Sequence, residues 1–372
     1  MAKKQILIIC GEPSGELHAA TLVSAIKNTA PEIRILGVGS SLLARSGAEI
    51  IYDTKGLSVM GVFDVLKKLP KFVGLKKLIL KKIADEKFDA IIFVDFSGFN
   101  LRLAKAINNS IPTIYYVSPQ VWASRPKRIE TIRKYIQKMI VIFKFEQEFY
   151  SNHGMDVDFI GHPLLDIVKT KEKLSKEKFT IVLLPGSRKQ EIKNILPLML
   201  KTARLINQEI PTQFIIAKPI QVDWDIYNHL IRKSKLDLKV VEGKTYECME
   251  VADFCLVCSG TATLETAIMQ KPFVIIYKMN LLNYLLYRPQ VSIPYIGIVN
   301  IIAGRKIIPE FVQFGARPKK IAQEVLRILS DQRELQKITS NLALVKSSLG
   351  EPGAAMRAAQ IIINFLKLSP PD

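Results

Sequence analysis

The chain has 372 residues, more than a single hydrophobic core normally organises, and this length indicates two domains. Hydrophobic residues make up 48% of it and charged residues 23%, a globular composition that excludes wholesale disorder. Lysine and arginine outnumber aspartate and glutamate by 53 to 34, and the net charge of +19 favours nucleic acid, an anionic membrane or phosphorylated substrates as partners.

The apolar run at the N-terminus ends before Glu12 and is too short for the core of a signal peptide, so we expect the protein to stay in the cytoplasm. A longer apolar tract, residues 281–302, is interrupted by Arg288, Pro289 and Pro294. The sequence therefore predicts no membrane-spanning helix.

Short β-branched runs alternate with helical patterns along the chain. In the first half, strands are predicted at residues 6–10, 33–38, 90–95, 113–117 and 139–143. After a charged stretch the series restarts with predicted strands at 180–184, 213–217, 238–241, 254–257 and 273–277, and helices follow at 318–329, 331–348 and 353–368. This alternation predicts parallel βαβ units.

The strand series restarts after residues 162–178, so we place the domain boundary there and divide the chain into three segments. We expect an N-terminal domain over residues 1–165, a C-terminal domain over 178–350, and a last helix over 351–372 that packs back on the first domain. A homodimer in which this helix packs on a partner subunit is an alternative.

Metal and redox sites find little support in the sequence. Cys255 and Cys258 lie in an apolar run, which favours buried strand positions over a metal or redox site. Asp223 and Asp225 precede a helix and are interpreted as capping residues, and the four histidines form no zinc-binding pair. We predict no metal and no cofactor.

Loops after the strands of the first half contain candidate binding residues, because ligands of parallel sheets bind beyond the carboxyl ends of the strands. In the first loop, Ser14 and Gly15 precede a helix whose N–H groups suit an anion; a tight turn capped by Ser14 is the alternative. After the predicted strand 90–95, Asp95 is a candidate base for a hydroxyl, or a helix cap, and Asn100 follows it.

The loop at residues 118–128 contains Trp122, one of two tryptophans, among the cations Arg125, Lys127 and Arg128. An aromatic side chain in a polar loop points to binding, and arginines suit phosphate or lipid head groups.

Two loops of the second half suit a nucleotide. Ser187 and Arg188 follow a Pro-Gly turn and would hold a diphosphate, although the Gly-Lys-Ser/Thr ending of a P-loop is missing. The segment 259–265, Ser-Gly-Thr-Ala-Thr-Leu-Glu, offers a close backbone approach, a helix N-terminus for phosphate, and the Glu265 carboxylate for ribose hydroxyls. A capping motif with Glu265 on the helix surface is the alternative.

Residues 65–84 contain seven lysines and no acidic residue, interleaved with aliphatic side chains. This composition is typical of an interfacial helix pair, here with breaks at Pro70 and Gly74, and a core-packed helix with a solvated lysine face is the alternative. The candidate membrane residues are Leu66, Leu69, Phe72, Leu75 and Lys76.

Together with Gly161-His162-Pro163 and residues 300–313, these loops span nearly the whole chain, and their motifs and order resemble those of the lipid-A-disaccharide synthase family, glycosyltransferase family 19. The resemblance implies an α/β GT-B fold: two Rossmann-like, doubly wound domains facing a cleft, with C-terminal helices returning towards the first. It also implies an inverting, metal-independent reaction of lipid A biosynthesis, in which UDP-2,3-diacylglucosamine and 2,3-diacylglucosamine 1-phosphate give the β-1,6 lipid A disaccharide 1-phosphate and UDP.

The same resemblance assigns roles to individual residues. Asp95 becomes the base that activates the acceptor, although some family members carry a second acid where this chain has Gly98. The implied acceptor side consists of Ser14, Gly15, Asn100, Trp122 and Arg125. The implied donor side consists of Ser187, Arg188, Ser259, Gly260, Thr261, Glu265, Asn300, Glu310 and Gln313. The partners would be the two acylated sugars and the anionic inner face of the inner membrane, with no nucleic acid.

Two alternatives stay open at this point. Another GT-B enzyme acting on UDP-N-acetylglucosamine, a peptidoglycan-type transferase or a 2-epimerase, would share the second-half loops without needing the tract 65–84. A basic membrane- or nucleic-acid-binding protein without catalysis would bind polyanions and release no UDP.

Overall fold

A computed structural model of the protein describes residues 4–11, 13–55, 57, 62–169, 178–232, 234, 236–291 and 293–368; the side chains of residues 13, 14, 62–67, 287 and 368 lie outside this description. The chain divides into two compact units. The first consists of Met1–Pro163, Pro289–Ser292 and Leu349–Asp372, and the second of Leu164–Arg288 and Ile293–Ser348.

A parallel sheet forms the centre of the first unit. Its described strands are β1 Gln5–Ile9, β2 Arg34–Gly39, β3 Glu49–Asp53, β4 Ala90–Val94, β5 Thr113–Tyr116, β6 Lys138–Val141 and β7 Asp158–Phe159. They are arranged in the order β3-β2-β1-β4-β5-β6-β7. The strand order reverses between β1 and β4, and in such sheets ligands bind at the carboxyl ends of these two strands.

Helices connect these strands. Their bounds are α1 Pro13–Thr29, α2 Ser41–Arg45, α3 Val62–Asp85, α4 Ser97–Ile107, α5 Arg128–Tyr135 and α6 Lys144–Ser151. β1 and β4 are aliphatic runs with both faces covered, and they form the middle of the hydrophobic core.

The second unit is built around a second parallel sheet. Its described strands are β8 Thr180–Leu184, β9 Gln213–Lys218, β10 Leu238–Glu242, β11 Phe254–Cys258, β12 Phe273–Tyr277 and β13 Glu310–Val312. Their order is β10-β9-β8-β11-β12-β13, which again reverses beside the first strand of the sheet. The reversal places the carboxyl ends of β8 and β11 side by side.

The helices of the second unit are α7 Leu164–Ile167, α8 Lys189–Glu209, α9 Trp224–Arg232, α10 Thr245–Val251, α11 Thr261–Ile268, α12 Leu281–Tyr287, α13 Ile298–Ile302, α14 Pro318–Ser330 and α15 Gln332–Ser348. Two short 3-10 helices occur at Arg288–Gln290 and Gln313–Gly315.

The last helix, α16 Ala354–Leu368, belongs to the first unit and packs against α1. Two hydrogen bonds at the motif 161–163 fix the chain that leads into α16. The His162 backbone N–H donates to the Leu349 carbonyl at 2.8 Å, and Arg357 Nε donates to the Ile160 carbonyl at 2.8 Å. His162 itself lies in a buried pair with His18, where burial lowers the pKa of His18 to about 4. We therefore interpret this motif as structural.

The ten predicted strands and the three predicted C-terminal helices are all present. One sequence prediction is wrong: the tract around Pro70 and Gly74 forms the single helix α3, without a break. An interior proline removes one backbone hydrogen bond, but burial of Leu75 and Ile79 keeps the helix on the core. Among the described residues, no helix is both long and apolar enough to cross a bilayer.

Candidate active site

Asp95 stands directly after β4, at the carboxyl edge of the first sheet, and is partly exposed. Asp95 and Phe96 both have left-handed backbone angles, with φ of 47° and 46°. Such conformations cost non-glycine residues roughly 1–2 kcal/mol each, and they persist where the surroundings enforce them. Here Tyr115 Oη and Asn100 Nδ2 both donate to the Asp95 carbonyl, at 2.5 and 2.9 Å. These bonds therefore hold the backbone of Asp95 in place at the end of β4.

The start of α1 approaches this turn closely. A Cβ atom at Gly15 would lie 2.9 Å from the Cβ of Asp95, so a larger residue there would displace one of the two loops. The N-terminus of α1 thus lies beside the Asp95 turn, as its assignment to the acceptor side requires. The side chain of Ser14, assigned to the same side, lies outside the described residues.

Asn100 is completely buried, and its amide donates to the Val94 and Asp95 carbonyls. These two bonds indicate that Asn100 positions the Asp95 turn. Its place on the acceptor side stays a prediction.

Trp122 is held by a carboxylate that the sequence did not point to. Its Nε1 donates to Glu146 Oε1 at 3.1 Å, and its ring lies edge-on to Phe145 with centroids 5.0 Å apart. Glu146 is buried at the start of α6, and its other oxygen accepts from the Phe143 backbone N–H at 3.1 Å. Burial raises the pKa of Glu146 to about 7, against the opposing effect of these donors. The indole is thus fixed, with part of its surface exposed.

One hydrogen bond joins the Trp122 loop to the Asp95 turn: Arg128 Nη1 donates to Ser97 Oγ at 3.0 Å. Arg125, the predicted binding residue, is exposed and donates to Gln290 Oε1 at 3.1 Å. The loops after β1, β4 and β5 therefore share one edge of the first sheet.

In the second unit, Ser187 and Arg188 follow β8, and a carboxylate already occupies their donors. Glu191 Oε2 accepts from both backbone N–H groups, at 3.1 and 3.3 Å, and Glu191 Oε1 accepts from Arg188 Nη1 at 3.1 Å. An acidic group thus rests where a diphosphate was expected. Glu191 is the third residue of α8, so this contact is a capping box at the start of that helix.

The segment 259–265 forms the start of α11 beside that turn. Gly260 has a φ of 152°, and a side chain there would meet open space. Thr261 is exposed, and the Ser259 hydroxyl donates to the Ile296 carbonyl at 3.4 Å. The Glu265 carboxylate accepts from Tyr246 Oη at 3.0 Å, and burial raises the pKa of Glu265. Glu265 is therefore held in place, unlike a solvated surface residue.

The last three predicted donor residues form an internal network. Asn300 is fully buried; its Oδ1 accepts from the Ile307 and Ile308 backbone N–H groups, and its Nδ2 donates to the Ile308 carbonyl and to Glu310 Oε1. All four of its hydrogen-bonding positions are used. These bonds indicate that Asn300 positions the segment around it, and its contact with the donor stays a prediction.

Glu310 and Gln313 also bind backbone. Glu310 accepts from the Ile296 and Gly297 N–H groups, each at 3.0 Å. The nearly buried Gln313 exchanges two hydrogen bonds with the Met279 backbone. Glu310 thus holds the segment that contacts Ser259, and Gln313 holds the segment after β12; their contacts with the donor stay predictions.

The candidate membrane residues divide between the two faces of α3. Leu75 is buried in the core and Phe72 packs against Phe96 and Phe99, so both are corrected to core residues. Leu69 is 43% exposed and Lys76 partly exposed, and the structure adds Val73, which is 48% exposed. The side chain of Leu66 lies outside the described residues.

The two cysteines and the two aspartates considered above lie in separate parts of the second unit. Cys255 and Cys258 are buried in β11, and Asp223 pairs with Lys189 ahead of α9. In the part of the chain that the structure describes, no group of three or more His, Cys, Asp and Glu side chains could hold a metal ion.

The sequence profile of the lipid-A-disaccharide synthetase family matches residues 6–363 of this chain. The chain belongs to that family. Lipid-A-disaccharide synthases are similar to it over their full lengths: that of Syntrophus aciditrophicus is 39% identical over 99% of this chain and 100% of its own. The synthase of Myxococcus xanthus is 35% identical over 97% of both chains. Synthase 1 of Legionella pneumophila is 34% identical over 96% of this chain and 97% of its own. It is a family of glycosyltransferases.

Solved structures confirm the GT-B fold. The kitacinnamycin glycosyltransferase superposes with a TM-score of 0.67 at 15% identity, covering 98% of this chain and 100% of that one. The UDP-GlcNAc 2-epimerase of Neisseria meningitidis bound to UDP-GlcNAc gives a TM-score of 0.65 at 11% identity, covering 98% of this chain and 99% of that one. A calicheamicin glycosyltransferase gives a TM-score of 0.64 at 14% identity over the whole of both chains. At these identities the likeness is one of fold, so it does not favour the epimerase alternative.

The sequence patterns did not identify Glu146 and Tyr246, and they did not reveal the contact of Arg128 with Ser97. Each acts through a residue 19 to 31 positions away in the chain, which strand-end patterns do not reveal. Trp122 was the signal for Glu146, because a half-buried indole N–H needs an acceptor.

Proposed function

We propose that the protein transfers 2,3-diacylglucosamine from its UDP ester to the 6-hydroxyl of 2,3-diacylglucosamine 1-phosphate. The family match over residues 6–363 is the observation that carries this proposal. The products are the β-1,6-linked disaccharide 1-phosphate and UDP.

The acceptor side belongs to the first unit. Asp95 accepts the proton of the 6-hydroxyl as that oxygen attacks the anomeric carbon of the donor. The new C–O bond forms as the bond from the anomeric carbon to the diphosphate breaks, and UDP leaves with the electron pair. Attack opposite the leaving group inverts the anomeric centre. The held backbone of Asp95 at the carboxyl edge of the sheet supports this role, because a base must stay within hydrogen-bond reach of its proton.

The donor side belongs to the second unit. Arg188 and the N-terminus of α11 stabilise the negative charge that develops on the departing diphosphate, with Gly260 allowing close approach. Binding of the diphosphate at the β8 turn replaces Glu191 as the partner of Arg188. Glu265, held by Tyr246, accepts hydrogen bonds from the ribose hydroxyls. Arginine, backbone and helix dipole together supply charge stabilisation that a metal ion gives other transferases.

Incubating the protein with both acylated sugars should release UDP in step with disaccharide. Enzyme-coupled detection of UDP and thin-layer chromatography of the product measure the two quantities in one reaction. UDP release that does not depend on the acceptor would contradict the transferase proposal, and so would polyanion binding without any release.

We also propose that α3 rests on the anionic inner face of the inner membrane, where both substrates reside. Exposed aliphatic side chains at Leu69 and Val73 lie on a helix rich in lysine, and each lysine near an anionic surface contributes about 1 kcal/mol of attraction.

Changing Leu69 and Val73 together to serine should weaken flotation with vesicles of anionic phospholipid by about tenfold or more, because each buried aliphatic side chain contributes roughly 1.5–3 kcal/mol. The control is Leu344→Ser, since Leu344 is 65% exposed on α15 of the second unit. Equal flotation of the double variant and the control would restore the alternative of a core-packed helix with a solvated lysine face.

A further inference from the structure

Three arginines come close together where the Trp122 loop enters α5. Arg128 opens the helix and is partly buried, Arg125 precedes it with a left-handed φ of 56°, and Arg102 approaches from α4. The two arginines of the loop have neutral hydrogen-bond partners in the described chain, the Ser97 hydroxyl and the Gln290 amide oxygen. Glu130, the acid in the first turn of α5, is hydrogen-bonded to neither of them.

This arrangement is electrostatically incomplete. Burial, with repulsion from Arg125 and Arg102, lowers the pKa of the Arg128 guanidinium. Partly buried charges are normally compensated by a carboxylate, and an anion placed among these side chains would remove both the repulsion and the cost of burial. The dipole of α5 favours the same sign of charge at this end of the helix.

The position of the cluster indicates which anion it takes. Ser97, which accepts from Arg128, lies two residues after Asp95 on the same turn. In the acceptor sugar, the carbon that carries the 1-phosphate and the carbon that carries the 6-hydroxymethyl group both flank the ring oxygen, so a 6-hydroxyl at Asp95 brings the phosphate near the same turn. A guanidinium anchored to Ser97 by one nitrogen keeps its other N–H donors for a phosphate, in the planar geometry that phosphate oxygens favour.

We propose that Arg128, assisted by Arg125, binds the phosphomonoester at position 1 of the acceptor sugar. The assignment rests on the proposed function, and it explains why a transferase would select a sugar phosphate over the neutral sugar. Ser97 orients the guanidinium, and the phosphate completes its set of partners.

The test crosses two protein forms with two acceptors. Wild-type protein and Arg128→Gln are assayed for UDP release with 2,3-diacylglucosamine 1-phosphate and with 2,3-diacylglucosamine lacking the phosphate. Hydrogen bonds to charged groups support an expected loss of about 10- to 150-fold in kcat/KM for the phosphorylated acceptor, mainly through KM. With the unphosphorylated acceptor, wild type and variant should be nearly equal.

Arg133→Gln is the matched control, because Arg133 is exposed in the last turn of the same helix. Arg128→Lys should recover part of the loss, since it keeps the charge without the planar fork. An equal loss with both acceptors would show that Arg128 only supports the loop, and would overturn the phosphate assignment while leaving the transferase proposal intact. Wild-type protein that releases no UDP with either acceptor would instead contradict the proposed function itself.

Discussion

Asp95→Asn should lower kcat by about 10²- to 10⁴-fold, the usual contribution of a positioned general base. Asparagine has the same shape as aspartate and tolerates left-handed backbone angles, so the turn at φ 47° should survive the change. Since Asp95 belongs to the acceptor side, the affinity for the UDP-sugar should stay at the wild-type value. Steady-state UDP release and calorimetric titration of the donor measure the two quantities separately.

Asp156→Asn is the control for this experiment, because Asp156 is an exposed aspartate in the same unit. Wild-type turnover of Asp95→Asn would remove Asp95 from the mechanism. A parallel loss of donor affinity would indicate that the turn itself had moved.

The segment 95–100 contains no second acid that could replace Asp95. The family resemblance suggested a second acid at the position of Gly98, which is exposed, and an added Cβ there would meet nothing within 4 Å. A side chain would fit there without strain, so sterics do not explain the glycine. In this chain the Asp95 carboxylate is the acid that the turn offers.

Much of the fold was predictable because its central strands are continuous aliphatic runs. The missed strands β3, β7 and β13 are short and only partly buried, and their sequences lack the apolar pattern that identified the others. The site was predictable where residues follow a strand directly, as Asp95 and Ser259 do. Partners brought in from another loop, such as Glu146 for Trp122, depend on tertiary packing.

The lysine-rich helix shows a second limit of the sequence. Leu69 and Leu75 look equivalent in a tract of alternating lysine and aliphatic residues, yet Leu69 is exposed and Leu75 buried. One turn and a half of helix separates them, so they point in different directions. The packing of α3 on the rest of the first unit decides which of the two leucines is available to a membrane.

Asn300→Ala should lower the free energy of unfolding of the second unit by about 3–5 kcal/mol, because the change leaves several buried backbone groups without partners, at roughly 1–3 kcal/mol each. The N–H groups of Ile307 and Ile308 lose their acceptor, and the Glu310 carboxylate loses one donor. Urea denaturation followed by Trp224 fluorescence reports on this unit once Trp122, the other of the chain's two tryptophans, is changed to phenylalanine.

Asn228→Ala is the matched control, since Asn228 is exposed on α9 of the same unit, and surface changes of this kind stay within about 0.5 kcal/mol. Asn300→Asp adds a second test. It preserves the two accepted hydrogen bonds but faces Glu310 with another carboxylate, so it should destabilise the unit more at pH 7 than near pH 4, where carboxylates become protonated. A stable Asn300→Ala protein with weakened donor binding would restore the direct contact that the family resemblance implied. Loss of stability, with donor affinity falling only as the unit unfolds, is the result that the buried network predicts.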